Sequence, residues 1–575
     1  MAMVRVVPDV SGLDKPFDYA VPPELRAIRP GTVVRVPLHG RTVSGWVVAD
    51  GIEPEGGLEL KAVAAVAGLG PPPEVVDLTA WVAWRWAGPR RALLRAASPP
   101  RRLSALPVPP APGPLPAVPP GPLARAAEAA LAQPGRPGLL VPGPATDPLD
   151  AVLAACARAG GAVVVLVPSV GWAERLRARL ARRGLAVAGS WAEAAAGWPV
   201  VVGTRSGAFA PVSRLGAAVV LDAHDEAYRE QRSPQFDAAT VLAERCRRAG
   251  APCLLVSATP DLAQLVAARR VEVPRELVRR GWPAVRVVDR RLADPRTGRY
   301  SEELVRVARA EHPHPVVVVH HRRGRGRLLA CAHCGELARC ERCGHSVGEV
   351  GEDGARLGCA TCSLERPRLC LACGNLRLKV LRVGVSRVRE ELAALLGREV
   401  GEVTAEHEEL PATPVMVGTE AVLHRLRRAS VVAFVDFDLH LLAPRLAAGE
   451  HSLALLARAG RLVGGRGSPG AGVVLVQTRL PDHEVLAAAV AGDPDVFLRP
   501  ELELRRQLAL PPFGALAELH GPGAAEYAAA LGLDGAPLDA DRWLVRASGH
   551  RELCDRLAAR PRGPAVRVVV DPASV

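Results

Sequence analysis

Residues 200–225 read VVVGTRSGAFAPVSRLGAAVVLDAHD. Two short apolar runs in this stretch, Val200–Gly203 and Ala217–Leu221, lie on either side of a segment rich in glycine, serine and proline. Short runs dominated by valine, leucine and alanine are typical of strands that are buried on both faces of a sheet. The stretch therefore predicts two neighbouring strands of an α/β domain.

Working outward from this stretch, similar apolar runs alternate with helical stretches such as Trp172–Ala181 and Ala238–Arg248. Strands that alternate with helices predict a parallel sheet. The first series of runs comprises Leu139–Val141, Ala162–Val167, Val200–Gly203, Ala217–Leu221 and Cys253–Val256. A second series comprises Val285–Asp289, Pro315–His320, Val415–Gly418, Val431–Val435 and Val473–Gln477. The predicted fold class is α/β, with two parallel sheets.

The segments on either side of these two series have a different character. Residues 1–104 begin with β-like runs, Val33–Val36 and Val43–Val48, and residues 74–97 have a helical apolar face. Residues 105–122 are dense in proline and predict a semi-rigid linker. Residues 501–575 form a smaller terminal unit.

The overall charge favours an anionic partner. The chain of 575 residues carries a formal net charge of +13, and nucleic acid is the most common partner of a strongly basic protein. We find no apolar run long enough to cross a membrane and, at the start, no charged segment followed by an apolar stretch. We therefore expect a cytoplasmic, nucleoid-associated protein with no membrane partner.

Eight of the twelve cysteines form four Cys-x-x-Cys pairs. The pairs are Cys331 with Cys334, Cys340 with Cys343, Cys359 with Cys362, and Cys370 with Cys373. In a reducing compartment such pairs are metal ligands more often than disulfides, and two pairs supply the four thiolates of a tetrahedral zinc site. The eight cysteines therefore predict two zinc ions, both structural because no coordination position stays open.

Four pairs can combine in three ways. The gap between Cys343 and Cys359 has the length of a zinc-ribbon spacer, which favours a nested arrangement. In that arrangement Cys331, Cys334, Cys370 and Cys373 bind one ion, and Cys340, Cys343, Cys359 and Cys362 bind the other. A sequential pairing, with a very short spacer between the first two pairs, stays open. A redox role for one pair is the remaining alternative.

Several motifs spread along the chain resemble those of the bacterial PriA family, the replication restart proteins also called primosomal protein N′. The N-terminal motif is Pro16-Phe17-Asp18-Tyr19-Ala20-Val21-Pro22, followed by Arg29-Pro30-Gly31 and Leu60-Lys61-Ala62-Val63. The helicase-like motifs include Gly203-Thr204-Arg205-Ser206, His224-Asp225, Ser257-Ala258-Thr259-Pro260, Arg322-Arg323-Gly324, Gly418-Thr419-Glu420 and Gln477-Thr478. Pro511-Pro512-Phe513 continues the match near the C-terminus.

This resemblance implies two RecA-like helicase lobes, an N-terminal β-rich domain that binds the 3′ end of DNA, a zinc-binding insertion and a small C-terminal α/β domain. The expected domains are residues 1–104 for the DNA-end domain, 105–122 for the linker, 123–284 for the first lobe, 285–500 for the second lobe with its insertion at 328–376, and 501–575 for the C-terminal domain. The implied partners are forked and single-stranded DNA, primosome proteins, a helicase loader and single-stranded DNA-binding protein.

The resemblance also implies a set of residues for the DNA end. Phe17, Asp18 and Tyr19 would surround the terminal nucleotide, with Gly31 and Lys61 nearby. An aromatic ring can stack on a base and a carboxylate can accept a hydrogen bond from the 3′-hydroxyl. The alternative for these residues is an ordinary turn with buried aromatics. The basic loop His320–Arg327 could contact phosphates or be a solvated surface run.

The chain departs from the family where ATP would be hydrolysed. The lysine and threonine of the phosphate-binding loop fall on Pro148 and Leu149, and the magnesium-binding aspartate falls on Leu221. The sixth motif, which the resemblance leads us to expect as Gln-Val-Ala-Gly-Arg-Ala-Gly-Arg, aligns with Arg458-Ala459-Gly460-Arg461-Leu462-Val463-Gly464-Gly465 and places its two arginines on Leu462 and Gly465. Compensation by the neighbouring Arg461 or Arg466 is the alternative. The family's winged-helix domain has no room between Ala105 and Leu139.

These departures predict a protein that recognises abandoned forks and nucleates primosome assembly without hydrolysing ATP. The first alternative is an active ATP-dependent 3′–5′ helicase that uses a degenerate site. The second is a zinc-ribbon DNA-binding protein with no role in restart.

Overall fold

The computed structural model describes residues 2–25, 27–52, 60–103, 105–111, 113, 117–291, 299–320, 329–342, 344–350, 355–359, 364–380, 385–403, 409–560, 563 and 565–573. Four of the six described sheets belong to four successive units of the chain, and the other two, which are small, belong to the cysteine region. The predicted α/β class with two parallel sheets is confirmed.

The N-terminal unit is an antiparallel five-stranded sheet with two helices. Its strands are β1 (Met3–Pro8), β2 (Phe17–Ala20), β3 (Val33–Leu38), β4 (Arg41–Asp50) and β5 (Ala65–Gly68), in the order β2-β1-β4-β3-β5. The helices are α1 (Pro73–Arg85) and α2 (Arg90–Ala97). The single helical stretch predicted for 74–97 is therefore wrong. The chain turns at Ala87 with φ 45°, and Gly88 lies so close to Pro234 that a Cβ at residue 88 would come within 2.3 Å of it.

The first lobe is a parallel sheet covered by helices on both faces. Its strands are β6 (Gly138–Leu140), β7 (Ala162–Leu166), β8 (Val187–Ala188), β9 (Val200–Gly203), β10 (Leu215–Leu221), β11 (Cys253–Val256) and β12 (Arg269–Arg270). Its helices are α3 (Pro122–Leu131), α4 (Leu149–Arg158), α5 (Val170–Ala181), α6 (Trp191–Ala196), α7 (Ala238–Ala249), α8 (Leu262–Ala267) and α9 (Arg275–Gly281). The strand order is β12-β6-β11-β10-β7-β9-β8. Separate apolar clusters fill its two faces, as expected for fully buried strands.

The second lobe is also a parallel α/β sheet, and the cysteine region interrupts it. Its strands, with those of the insertion in chain order, are β13 (Ala284–Asp289), β14 (Val316–Val319), β15 (Leu329–Cys331), β16 (Val347–Val350), β17 (Arg356–Cys359), β18 (Glu365–Pro367), β19 (Leu378–Val380), β20 (Gly401–Val403), β21 (Val415–Gly418), β22 (Val431–Phe434) and β23 (Val473–Thr478). The helices are α10 (Glu302–Arg309), α11 (Val385–Leu396), α12 (Val422–Arg425), α13 (Asp438–Leu441), α14 (Ala448–Val463), α15 (Glu484–Ala491) and α16 (Asp495–Gln507). The lobe has the strand order β13-β23-β22-β14-β21-β20, whereas β15 pairs with β19, and β16, β17 and β18 form a separate small sheet.

The C-terminal unit is an antiparallel sheet with two helices. Its strands are β24 (Ala515–His520), β25 (Asp534–Asp539), β26 (Arg542–Ala547) and β27 (Arg567–Val570), and its helices are α17 (Ala524–Leu531) and α18 (His550–Ala559). The boundary predicted between residues 500 and 501 falls inside α16, so the helix runs through it. This unit contacts the N-terminal unit, where Arg85 of α1 forms an ion pair with Asp571 at 2.8 Å.

Candidate functional site

A cleft between the two lobes lies where a helicase-like fold would hold nucleotide. It encloses about 490 Å³ and is lined from the first lobe by the segment between β6 and α4, by α5 and by the end of β10, and from the second lobe by α12 and α14. Among the described residues, six arginines line it: Arg175, Arg179, Arg427, Arg428, Arg458 and Arg461. The cleft is therefore strongly basic.

At the start of α4, an acidic side chain of the chain itself accepts the hydrogen bond of a helix amide. Pro148 is the N-cap residue and has no amide hydrogen to donate. Asp147 accepts a hydrogen bond from the Leu149 amide at 3.1 Å and another from Arg179 at 3.0 Å. Burial would raise the pKa of Asp147, but these two hydrogen bonds hold that pKa below its ordinary value. The helix start is thus satisfied by the chain itself, which leaves little attraction for a phosphate.

The position of the magnesium ligand is apolar. Leu221, at the end of β10, is fully buried, and its carbonyl accepts a hydrogen bond from the Tyr228 hydroxyl at 2.6 Å. The next residue, Asp222, has a positive φ of 49° and accepts a hydrogen bond from Arg461 of the second lobe at 2.6 Å. The carboxylate that remains in the cleft is therefore held by a protein cation.

Arg461 joins the lobes at more than one point. Besides Asp222, its guanidinium donates to the Pro144 carbonyl at 3.0 Å and lies over the Trp172 ring at 4.6 Å from the ring centre. Arg458, one turn earlier on α14, forms an ion pair with the buried Asp225 of the first lobe. Two arginines of one helix thus bind two acidic residues of the opposite lobe.

These contacts bear on the sixth motif, because its segment supplies the arginines that enter the cleft. Leu462, one of the two positions expected to carry an arginine, is buried in the apolar core of the second lobe, and Gly465 lies against the Arg280 carbonyl. Arg458 and Arg461 enter the cleft instead, three residues apart as in the expected Arg-Ala-Gly-Arg. An alignment shifted by four residues would place the two arginines there, because Ala457-Arg458-Ala459-Gly460-Arg461 differs from the expected Gly-Arg-Ala-Gly-Arg only at its first residue.

Two histidines of the cleft are held neutral. His224 shares a hydrogen bond of 2.7 Å with the Ser257 hydroxyl, and burial lowers its pKa. Burial and the neighbouring Arg458 lower the pKa of His424 to about 4. Near neutral pH the positive charge of the cleft therefore comes from its arginines.

The residues expected at a DNA end lie on or near β2, and they do not share one face. Tyr19 is buried in the core of the N-terminal sheet, and its hydroxyl donates to the Pro37 carbonyl at 3.2 Å. Phe17 is half-buried against the same core. Because side chains alternate along a strand, Asp18 points to the opposite face. The Tyr19 ring therefore belongs to the core of the sheet, and the role of Phe17, Asp18 and Tyr19 at a DNA end stays a prediction.

Asp18 is paired with Arg5 of the adjacent strand. The Arg5 guanidinium donates to both carboxylate oxygens, at 2.8 and 3.0 Å, and this pairing lowers the pKa of Asp18. The motif did not single out Arg5, although the antiparallel pairing of β1 with β2 places it directly opposite Asp18. Asp18 and Arg5 together offer an acceptor and a cation to a ligand.

Gly31 and Lys61, the other two residues expected near a DNA end, differ in their surroundings. Gly31 has φ 96°, and a Cβ there would come within 1.8 Å of the Pro71 carbonyl oxygen, so this position requires glycine for packing. The segment of Lys61 lies beside β2, because the Ala20 amide donates to the Lys61 carbonyl at 3.0 Å, and its side chain is exposed. Lys61 is therefore placed near Asp18, whereas the presence of glycine at residue 31 is explained by packing alone.

The structure brings the outer four cysteines together. The Sγ atoms of Cys331 and Cys373 lie 3.5 Å apart and those of Cys334 and Cys370 lie 3.6 Å apart. A tetrahedron with Zn–S bonds of about 2.3 Å has edges of about 3.8 Å, so the spacing suits a zinc ion. Cys340 and Cys359 of the predicted inner site are buried in the same small core, and Cys343 and Cys362 lie outside the described residues.

The other predicted features are only partly described. His320 is buried at the end of β14, 3.4 Å from Asp436, and the rest of the basic loop, residues 321–327, lies outside the described part of the chain. Among the described residues, none of the helices is both long and apolar enough to span a bilayer.

Comparison with known proteins shows which family this chain belongs to. The family model of the PriA 3′ DNA-binding domain (3′BD) matches residues 5–99. A protein of Mycobacterium tuberculosis named "Probable replication restart protein PriA" is 31% identical over 89% of this chain and 85% of its own length. The chain belongs to the PriA family. The resemblance predicted from the motifs is confirmed, and the model match covers the residues from Arg5 to Pro99.

Other members of the PriA family match over less of their length. The replication restart protein PriA of Bacillus subtilis is 26% identical and that of Treponema pallidum is 29% identical, each over 55% of this chain. The chain covers only 42% and 50% of those two proteins.

Solved helicase-like structures are more distant. Dbp5 of S. cerevisiae bound to RNA and ADP BeF3 is 15% identical, with a TM-score of 0.36 over 67% of this chain and 93% of that one. Helicase Lhr of Mycobacterium smegmatis bound to ssDNA and AMP-PNP is 16% identical, with a TM-score of 0.36 over 66% of this chain and 48% of that one. At these TM-scores the likeness carries no weight for function.

Proposed function

We propose that this chain acts in replication restart as a fork-recognition protein that holds a 3′ DNA end and nucleates primosome assembly without hydrolysing ATP. Membership of the PriA family and the match to the 3′ DNA-binding domain support the DNA-binding part. The forked and single-stranded DNA substrates, the primosome proteins, the helicase loader and the single-stranded DNA-binding protein named as partners are all part of this proposal, as is a cytoplasmic location.

The observation that carries the non-catalytic part is the replacement of the phosphate cradle. ATP hydrolysis needs a cation on the β- and γ-phosphates and a carboxylate on Mg²⁺. Here Pro148 and Leu221 stand at those two positions, and Asp147 would repel a phosphate at the start of α4. Each of these two replacements removes a charge that the transition state of ATP hydrolysis needs, and together they favour a chain that does not turn over ATP.

A second candidate function, that of an ATP-dependent 3′–5′ helicase, rests on the cleft arginines. Arg458 and Arg461 enter the cleft in the spacing of the family's sixth motif, beside Asp222. An arginine that reaches a transferring phosphate contributes about 10³–10⁵ in rate. Both arginines are engaged with aspartates of the first lobe, so nucleotide would have to displace those ion pairs.

The test is ATP hydrolysis by the full chain, saturated with a synthetic fork that carries a leading-strand 3′ end. We expect no turnover above that of a variant, Asp222→Asn, while both proteins bind the fork. Turnover that is lost in Asp222→Asn would establish the helicase candidate and contradict the proposal. Failure of either protein to bind the fork would contradict the DNA-binding part instead.

We further propose that the cysteines hold two structural zinc ions in the nested arrangement. The spacing of the outer four sulfurs supports the first ion, with Cys331, Cys334, Cys370 and Cys373 as its ligands. The second ion, with Cys340, Cys343, Cys359 and Cys362, follows from the sequence spacing. Four thiolates complete the tetrahedron, so each ion would stabilise the insertion and take no part in a reaction.

A further inference from the structure

A second group of metal-binding side chains lies apart from the cysteines, at the contact between the lobes. Glu420 follows β21, His440 is in α13 and His451 is in α14. Each offers one ligand atom, and the three atoms lie within 4.8 Å of one another. His440 Nδ1 is 3.2 Å from Glu420 Oε1, and His451 Nε2 is 3.2 Å from Glu420 Oε2.

These separations suit a metal ion of the zinc type. Zinc binds histidine nitrogen and carboxylate oxygen at about 2.0–2.2 Å, so neighbouring ligand atoms of a tetrahedral site lie about 3.3 Å apart. Both nitrogen-to-oxygen distances are close to that value. Two histidines and one glutamate are also a ligand set that zinc uses when one coordination position is left for another ligand.

The ligand histidine nearest the other lobe is already oriented by a carboxylate. His451 Nδ1 lies 2.9 Å from Glu226 Oε1, and Glu226 belongs to the first lobe. A histidine that binds a metal through one nitrogen commonly donates its other N–H to a carboxylate, which fixes the ring and raises its basicity. Glu226 is itself held by Arg445 at 3.2 Å, so it is a fixed acceptor.

The surroundings limit exchange with solvent. The His440 side chain is 2% exposed and that of His451 10% exposed, whereas Glu420 is 27% exposed and gives the site one open side. The rings of Phe437 and Phe434 lie 5.3 and 6.1 Å from the His440 ring. An apolar shell around polar ligands strengthens their attraction for a cation, because water competes less.

We propose that Glu420, His440 and His451 bind one divalent transition-metal ion, zinc by preference, and that Glu226 of the first lobe orients His451 toward it. The ion fixes His451 in the position where it contacts both lobes. The site therefore links metal occupancy to the contact between the lobes, independently of nucleotide and of the cysteines.

The competing explanation needs no metal. A protonated His451 would place a positive charge between Glu226 and Glu420, and two charge-assisted hydrogen bonds would then account for the same distances. The two explanations differ in one measurable quantity, the number of ions that the chain holds when the cysteines are intact.

The test compares metal content in three full-length proteins purified in the same way. They are the unaltered chain, the double variant His440→Asn with His451→Asn, and the control His424→Asn, which removes a cleft histidine that lies outside the group. We expect the double variant to hold one ion fewer per chain and the control to lose none. Equal metal content in all three proteins, each folded by circular dichroism, overturns the proposal in favour of the protonated histidine.

A spectroscopic measurement assigns the lost ion. After loading with Co²⁺, the difference spectrum between the unaltered chain and the double variant should show the visible bands of cobalt with nitrogen and oxygen ligands, without sulfur-to-metal charge transfer. Charge-transfer intensity in that difference would place the lost ion at the cysteines and overturn the proposal. If the double variant does not fold, Glu420→Gln, which keeps the side-chain size, is subjected to the same two measurements.

Discussion

Single residues at the start of α4 decide which ligand the first lobe can hold. A phosphate-binding helix start needs free amides, and here Asp147 uses the Leu149 amide while Pro148 has none to offer. The sequence allowed this to be predicted, because proline and aspartate have the same chemistry wherever they stand. The contacts of Arg458 and Arg461 with the first lobe could not be predicted, since a sequence does not show which side chains of a changed motif enter the cleft.

A substitution of the single residue Asp18 tests the proposed DNA-end site. We expect Asp18→Asn to lower the preference for forks with a free 3′-hydroxyl over forks blocked by a 3′-phosphate by roughly tenfold, since a hydrogen bond to a charged acceptor contributes about 1.5–3 kcal/mol. The measurement is the ratio of the two dissociation constants. Asp50→Asn, on the exposed end of β4, is the matched control. An unchanged ratio in Asp18→Asn would limit Asp18 to its pairing with Arg5.

Among the secondary-structure elements, the buried strands were the best predicted. The strands β9, β11 and β21 have the bounds expected from the sequence, because a strand buried on both faces must be a continuous apolar run. The strands β1, β2 and β5 were not predicted. The break between α1 and α2 was missed as well, because the approach of Pro234 to Gly88 comes from a distant part of the chain.

The outer four cysteines, which lie in the insertion that β15 and β19 enclose, allow the zinc proposal to be tested. Replacing Cys334 and Cys370 with serine should remove one zinc ion per chain and leave the other cysteine-bound ion, because in the nested arrangement both residues bind the same ion. The measurement is the zinc content of the folded protein. Replacing the buried Cys156 of α4, which is far from the insertion in the sequence, with serine is the control and should remove none. Loss of both cysteine-bound ions from the Cys334 and Cys370 variant would contradict the nested arrangement, because in either of the other two pairings these residues bind different ions.

The contact between α1 and α18 has a pH-dependent component. Burial would raise the pKa of Asp571, but the hydrogen bond with His550 and the ion pair with Arg85 hold it well below its ordinary value. The ionised carboxylate therefore contributes stability that is complete above the unfolded-state pKa of about 4 and is lost as the pH falls toward the folded-state pKa.

We expect Asp571→Asn to reduce the free energy of unfolding near neutral pH by about 2 kcal/mol, as for loss of hydrogen bonds to a charged group. Asparagine tolerates the positive φ of 54° at this position, so backbone strain should add little. The measurement is denaturant unfolding as a function of pH. The difference should begin to shrink below about pH 4, and the two proteins should converge only as the pH approaches the folded-state pKa. A constant difference down to the lowest pH would mean that the Asp571 charge is not the cause.

At the scale of the whole molecule, the closed cleft depends on ion pairs that cross it. Arg458 binds Asp225, and Arg461 binds Asp222. Asp225 is almost fully buried and Arg458 mostly so, so screening by salt should weaken their attraction only in part. The two lobes were predictable from their strand patterns, but their closure was not, because it arises from pairs that are more than two hundred residues apart in the chain.

A double-mutant cycle on Arg458→Ala and Asp225→Ala measures this closure. We expect a coupling free energy of about 1–3 kcal/mol, as for contacting residues in one ion pair, and a larger radius of gyration in either single variant. Small-angle scattering and unfolding together provide both quantities. As a control, Arg270→Ala and Asp495→Ala probe another pair between the lobes that is more exposed and should couple by less than 1 kcal/mol. Independent, additive effects at Arg458 and Asp225 would show that the pair does not hold the cleft closed.

The Arg461–Asp222 contact also bears on whether a protein with this fold can move along DNA in one direction. Opening a cleft that is closed by such a contact is a reversible step whose forward and backward rates are fixed by temperature, salt and pH. Unless a reaction that releases free energy is coupled to it, detailed balance forbids any net direction to the opening and closing cycle. If the chain hydrolyses no ATP, as we propose, it cannot move along a strand in one direction. It then resides longest at the DNA structure that it binds most tightly, and its residence time there is the quantity that selection can adjust.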